Sequence, residues 1–108
     1  RLRRIEHLFT PSFRHACGVL SGALGLITPE GALHHASAIF NIPTVVVRGG
    51  FIGPTVTGYA GQIDFFKSTP EYPIGCGWRV RCPHCTAAMQ EIKARAVAAA
   101  LVERIRQK

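Results

Sequence analysis

The sequence predicts a small α/β domain built on a short parallel sheet, and three observations carry that expectation. Helix-like and strand-like segments alternate through the first half of the chain, Thr44 to Val47 is a run of four β-branched residues, and the C-terminal stretch is long, Ala-rich and amphipathic. Repeated alternation implies strands laid parallel and joined by right-handed crossovers. A β-branched run without polar alternation suits a strand buried on both faces, as parallel sheets require. At 108 residues the chain is expected to be one domain, 1–108, around one core.

Taken in order, Thr10-Pro11 offers a cap and a proline suited to a first helical turn, and Phe13, Ala16, Cys17, Leu20, Ala23 and Leu24 follow at helical spacing. A helix is therefore predicted over 11–23, with Cys17 in the core. The apolar run 24–28 suits a buried strand and breaks at Pro29-Glu30-Gly31. A short helix over 32–40 follows, closed by Asn41 and Pro43, and leads into the strand 44–47. From Gly49 to about Pro83 the chain is rich in Gly and Pro without a sustained period, which predicts a long irregular loop of the kind that is commonly functional. The final stretch, 86–108, is predicted as one long helix with Met89, Ile92, Ala96, Val97, Ala99, Ala100 and Leu101 inward and Arg104, Arg106 and Lys108 at its negative dipole end.

Composition narrows the function classes. Hydrophobic residues make up 47% and charged residues 18%, too apolar a balance for a disordered chain. No apolar run approaches the roughly 20 residues needed to cross a bilayer, and the N-terminus lacks the apolar segment of a secretion signal, so a cytoplasmic protein is expected. The sequence opens on Arg1 rather than Met, from which a processed product or a fragment of a longer reading frame is expected.

The 13 Lys and Arg against 6 Asp and Glu give a net charge of +7, favouring anionic partners such as nucleotides, phosphosugars, acidic lipid or nucleic acid without choosing among them. Arg1, Arg3 and Arg4 gather at one end, Lys93, Arg95, Arg104, Arg106 and Lys108 at the other, with Arg79 and Arg81 between. A solvated surface with basic helix ends is the usual reading of such a distribution, and no specific nucleic acid is expected.

The stretch 27–35, Ile-Thr-Pro-Glu-Gly-Ala-Leu-His-His, reads as a strand end, a tight turn and a helix start. In open α/β sheets ligands sit outside the carboxyl ends of the strands, where a helix N-terminus offers backbone N–H groups and a positive dipole to phosphate. Gly31 would permit close backbone approach, Glu30 would accept hydrogen bonds from ribose or sugar hydroxyls, and His34 or His35 would donate to phosphate oxygens. Successive helical residues project about 100° apart, so at most one histidine is expected to face the ligand. Taken singly, a glycine turn between strand and helix also occurs where nothing binds.

The segment TPEGALHHASAIFNIPTVVVRGGFIGPTVTGY and the tail CGWRVRCPHCTAAMQEI resemble, in order and spacing, motifs of the family 9, ADP-heptose:lipopolysaccharide heptosyltransferase-like glycosyltransferases, over roughly 13–92. The resemblance implies a GT-B architecture of two Rossmann-like domains. This chain would be the latter part of the C-terminal domain, which binds a nucleotide sugar, typically ADP-heptose, for transfer to lipopolysaccharide-type acceptors. It implies donor contacts from Glu30, Gly31, His34 or His35, from the Gly49-Gly50 loop, and from Thr57, Gly58 and Tyr59. Ala32 stands where the family has a second glycine. The acceptor-binding domain with its general base, and the first part of the donor domain, have no counterpart here, so no catalytic residue is assigned and activity alone is not expected.

Cys76, Cys82 and Cys85 form a C-x5-C-x2-C pattern with His84 between the last two. Thiolates and imidazole at short spacing suit tetrahedral zinc, although His84 is close in sequence to its neighbours. Cys82 and Cys85 also form a C-x-x-C pair ahead of a helix, which is the arrangement of thiol oxidoreductases, but no thioredoxin-like strand leads into it. Free thiols are the third option. Three classes therefore stand: a donor-binding portion of a glycosyltransferase, a non-catalytic interaction module or remnant of that fold, and a small zinc or thiol-redox protein. A partial sheet leaves an edge to be covered, so a homo-oligomer or a companion domain is expected.

Overall fold

A computed structural model of the chain describes residues 4–50, 52–67, 75–77 and 82–107. The architecture is α/β, as expected. The order is α1 (Phe13–Ser21), β1 (Leu26–Pro29), α2 (Ala32–Ile39), β2 (Thr44–Val47), α3 (Pro54–Thr57), β3 (Ile63–Phe65), α4 (Pro83–Gln90) and α5 (Ala94–Arg106). The three strands form one parallel sheet in the order β1-β2-β3, with Ile27 opposite Val45 and Val46 opposite Asp64.

The centre of the sheet is β2, and its sequence explains why. Successive side chains on a strand point to opposite faces, and Val45 and Val46 are both fully buried, so β2 is covered on both sides. On one face lie Leu26, Thr28, Val46 and Arg48, beneath α1 and α2; Leu26 shares an apolar recess with Leu20 and Leu33. On the other face Ile27 and Val47 meet Ile92 and Val97 across a shallow groove beside α5, which packs on β1 and β2. Asn41, in the left-handed region at φ 56°, ends α2 as Asn commonly does.

Several boundaries differ from those expected. Ser12, not Thr10, caps α1: its hydroxyl accepts from the His15 N–H at 3.2 Å, which leaves Pro11 outside the helix. Cys17 is half-buried rather than a core residue. The loop after Gly49 contains α3 and β3, the third strand being too short at three residues to leave a periodic signal. The single C-terminal helix is two. Pro83 opens α4 and an extended Lys93, at φ −97° and ψ 130°, separates it from α5. No Gly or Pro marks the break; it turns Val97 onto the sheet while α4 stays beside Gly49 and Gly50. Met89, Ala96 and Ala99 are consequently exposed, Ile92, Ala100 and Leu101 are half-buried, and Val97 is the buried residue of α5. Arg1, Arg3, Arg79, Arg81 and Lys108 lie outside the described residues. Among the described residues no helix is long and apolar enough to cross a membrane.

Candidate functional site

A cleft of about 520 Å³ opens at the carboxyl end of β1, lined by Ser12, Phe13, Thr28, Glu30, Gly31 and Leu33. Because α1 precedes and α2 follows a strand of a parallel sheet, both helices begin at this end, and their caps Ser12 and Gly31 border the same space. Neither helix carries an acidic residue in its first turn to offset the positive end of its dipole. Glu30 is exposed at the lip, and nothing lies within 4 Å of the position a Cβ on Gly31 would take.

Beside the cleft the two histidines behave differently. His34, wholly buried, occupies the third position of α2 and reaches back so that its Nδ1 accepts from the Gly31 N–H at 2.9 Å. That is the reciprocal half of a capping box, supplied here by imidazole instead of Glu or Gln. The ring proton then sits on Nε2 and donates to the Thr57 carbonyl, also at 2.9 Å. Both ring nitrogens are thus used in joining α2 to α3, and His34 is a structural residue rather than a phosphate donor. His35 is half-buried and bonds Tyr59 Oη through Nδ1 at 2.6 Å. The ring centroids of His34 and His35 are only 4.0 Å apart because His34 folds back on its own cap, contrary to the divergence expected of neighbouring helical residues.

Of the residues singled out from the sequence, Glu30, Gly31, His34, His35, Thr57 and Tyr59 are brought together. The ligating atoms of Glu30, His34 and His35 all lie within 4.8 Å of one another. Gly58 follows α3, where a Cβ would collide with the Pro54 carbonyl oxygen, so a tight turn accounts for that glycine. Gly49 and Gly50 point elsewhere: a Cβ on Gly50 would meet the His84 ring at 3.0 Å and Cys85 Sγ at 3.1 Å. The Gly-Gly pair therefore belongs with the cysteine segment.

That segment gathers Cys76, Cys82, His84 and Cys85, whose ligating atoms all lie within 4.8 Å of one another, a metal-binding spacing. Cys76 Sγ and Cys85 Sγ are 3.2 Å apart, and His84 Nδ1 is 3.9 Å from Cys85 Sγ. Cys82 is the cap of α4, and the backbone N–H of Cys85 there holds its thiol below the usual range. Burial pushes the Cys85 thiol up to about 12, assisted by the neighbouring sulfurs of Cys76 and Cys82. Thiolates this close together repel one another unless a cation joins them.

Arg48 is the residue that sequence reasoning missed. Its guanidinium is fully buried, with Nε donating to Asp64 Oδ1 and Nη1 to Thr57 Oγ1, both at 2.6 Å. Gln62 similarly donates to the His34 carbonyl at 2.7 Å and to Ser37 Oγ at 2.9 Å. Together these ties fix α3 and β3 against the start of α2, placing Thr57 and Tyr59 beside His34 and His35. An arginine directly after a buried run is the one signal in the sequence that an interior charge needs a partner.

No family model, curated protein or solved structure matches the chain.

Proposed function

We propose that the chain is the nucleotide-sugar-binding portion of a glycosyltransferase of the heptosyltransferase-like kind, its donor an ADP-linked sugar, with transfer requiring an acceptor-binding domain besides these residues. The observation that carries the reading is the cleft at the carboxyl end of β1, on which two helix N-termini converge beside the exposed carboxylate of Glu30. A diphosphate would sit against the helix starts, where dipole and backbone N–H groups favour anions, and Glu30 would accept from sugar or ribose hydroxyls. His35 and Tyr59, linked to each other and half-exposed or exposed, are the polar side chains placed to meet the rest of the donor. The surplus of positive charge supports an anionic ligand. A second copy of the chain, or a companion domain, is proposed against the open edge of β1.

Calorimetric titration with ADP, beside UDP and GDP, tests the donor site. ADP is expected to bind selectively, and Glu30→Ala and His35→Ala each to weaken it about tenfold or more, the effect of losing one hydrogen bond to a charged group. Absence of binding by all three nucleotides would overturn this reading in favour of a non-catalytic module of the same fold. The clustered thiols favour a second reading, in which metal chemistry accompanies or replaces the donor site; Cys76 Sγ stands 3.2 Å from Cys85 Sγ, a pairing outside the C-x-x-C that thiol-redox chemistry would use.

A further inference from the structure

We propose that Cys76, Cys82, His84 and Cys85 hold one zinc ion as a tetrahedral structural centre, clamping the start of α4 to the strand-end loop at Gly50. The site goes beyond the donor reading and does not depend on it.

The donor set is complete: three sulfurs and one imidazole nitrogen, mutually within 4.8 Å, from two separate pieces of chain. With Zn–S near 2.3 Å and Zn–N near 2.0–2.1 Å, a regular tetrahedron needs sulfurs about 3.8 Å apart and sulfur to nitrogen about 3.6 Å. The 3.2 Å between Cys76 and Cys85 opens, and the 3.9 Å between Cys85 and His84 Nδ1 closes, by well under 1 Å to meet those values. His84 is therefore within reach as the fourth ligand despite adjoining Cys85 in sequence.

The backbone around the cluster is arranged to permit this approach. The Cys76 N–H donates to the Gly50 carbonyl at 2.7 Å, drawing one ligand to the end of the β2 loop. Gly50 has no Cβ to obstruct the other side, where His84 and Cys85 stand 3.0–3.1 Å from the place one would occupy. The packing of α4 gives a reason for the clamp. Only Ala88 of its eight residues is buried, too little apolar burial to fix a short helix, whereas a zinc centre contributes folding free energy outright.

The test uses the full chain, purified under reducing conditions and titrated with Co²⁺, which zinc then displaces, with metal content measured directly. One metal per chain is expected, with thiolate-to-cobalt charge-transfer bands and the visible bands of a tetrahedral ion. Cys76→Ser and Cys85→Ser should each weaken Co²⁺ by more than the 10–100-fold that outer-shell substitutions cost. His84→Ala should weaken it at least tenfold and shift the visible bands, while His84→Cys, which restores a ligand, should keep one metal per chain with stronger charge transfer. Reduced protein that takes up no stoichiometric metal overturns the proposal. Unchanged affinity and spectrum in His84→Ala overturns the four-ligand centre. Stoichiometric metal in a chain that binds no nucleotide supports the zinc site and counts against the donor reading alone.

Discussion

Arg48 brings a permanent charge into the interior, and Asp64 together with Thr57 makes that tolerable. Removing one member of a buried pair strands the other, which costs about 3–5 kcal/mol, whereas replacing both with apolar groups is often neutral. Asp64→Ala is therefore expected to destabilise the fold by about 3 kcal/mol, the lower end of the range because the Asp64 side chain keeps 14% exposure. The double variant Arg48→Met with Asp64→Leu should recover most of that loss. Urea unfolding of both decides it: a double variant no more stable than Asp64→Ala would mean that the pair matters for shape rather than charge. This residue-scale detail is poorly legible in the sequence. Arg48 follows a buried strand and precedes two glycines, which reads as a loop start, and its partner lies sixteen residues on, in a strand that has no periodic signature. His34 illustrates the same limit, since nothing local distinguishes a histidine that caps its own helix from one that waits for a ligand.

At the scale of elements, β2 is the most legible part of the fold because four consecutive β-branched residues have few other uses, and the strand lies at 44–47 as expected. The α1–β1–α2 succession is equally plain, its ends moved by a residue or two where Ser12 outcompetes Thr10 as cap. The division of the C-terminal helix is not legible, because an Ala-rich stretch without Gly or Pro gives no local reason to stop. Packing supplies the reason: α5 must lay Val97 on the β1–β2 face while α4 remains beside Gly50. Val97, at 5% exposure the one buried residue of α5, should accordingly anchor the helix. Val97→Ala is expected to cost about 1.5–3 kcal/mol, the value of a buried valine side chain, as a drop in urea midpoint with unchanged slope. Ala98→Ser, on the exposed side of the same turn, should change stability by less than about 0.5 kcal/mol. Equal effects from the two would mean that α5 is not docked through Val97.

At the scale of the whole molecule, the three-stranded sheet encloses β2 but leaves the outer sides of β1 and β3 without a strand among the described residues, and β1 is the longer of the two edges. Elsewhere among the described residues large apolar side chains stand in solvent, among them Phe9 at 89%, Leu24 at 80% and Ile39 at 81% exposure. Single exposed apolar residues are ordinary, whereas an uncovered sheet edge is a surface that natural proteins cover. The parallel register of β1 and β2 makes the free edge of β1 a template that a second copy can extend, burying backbone groups and apolar residues in one step. Sedimentation velocity at micromolar concentration should therefore show a dimer, which Ile27→Lys, a charge placed on that edge strand, should shift toward monomer. A stable monomer at these concentrations would overturn self-association and leave the β1 edge to the acceptor-binding domain that the proposed function requires. The cleft opens at the carboxyl end of β1, so an occupant of the strand's side edge leaves it free, and ADP affinity should be the same in the dimer and in the Ile27→Lys monomer; a difference between them would place the dimer contact at the cleft instead.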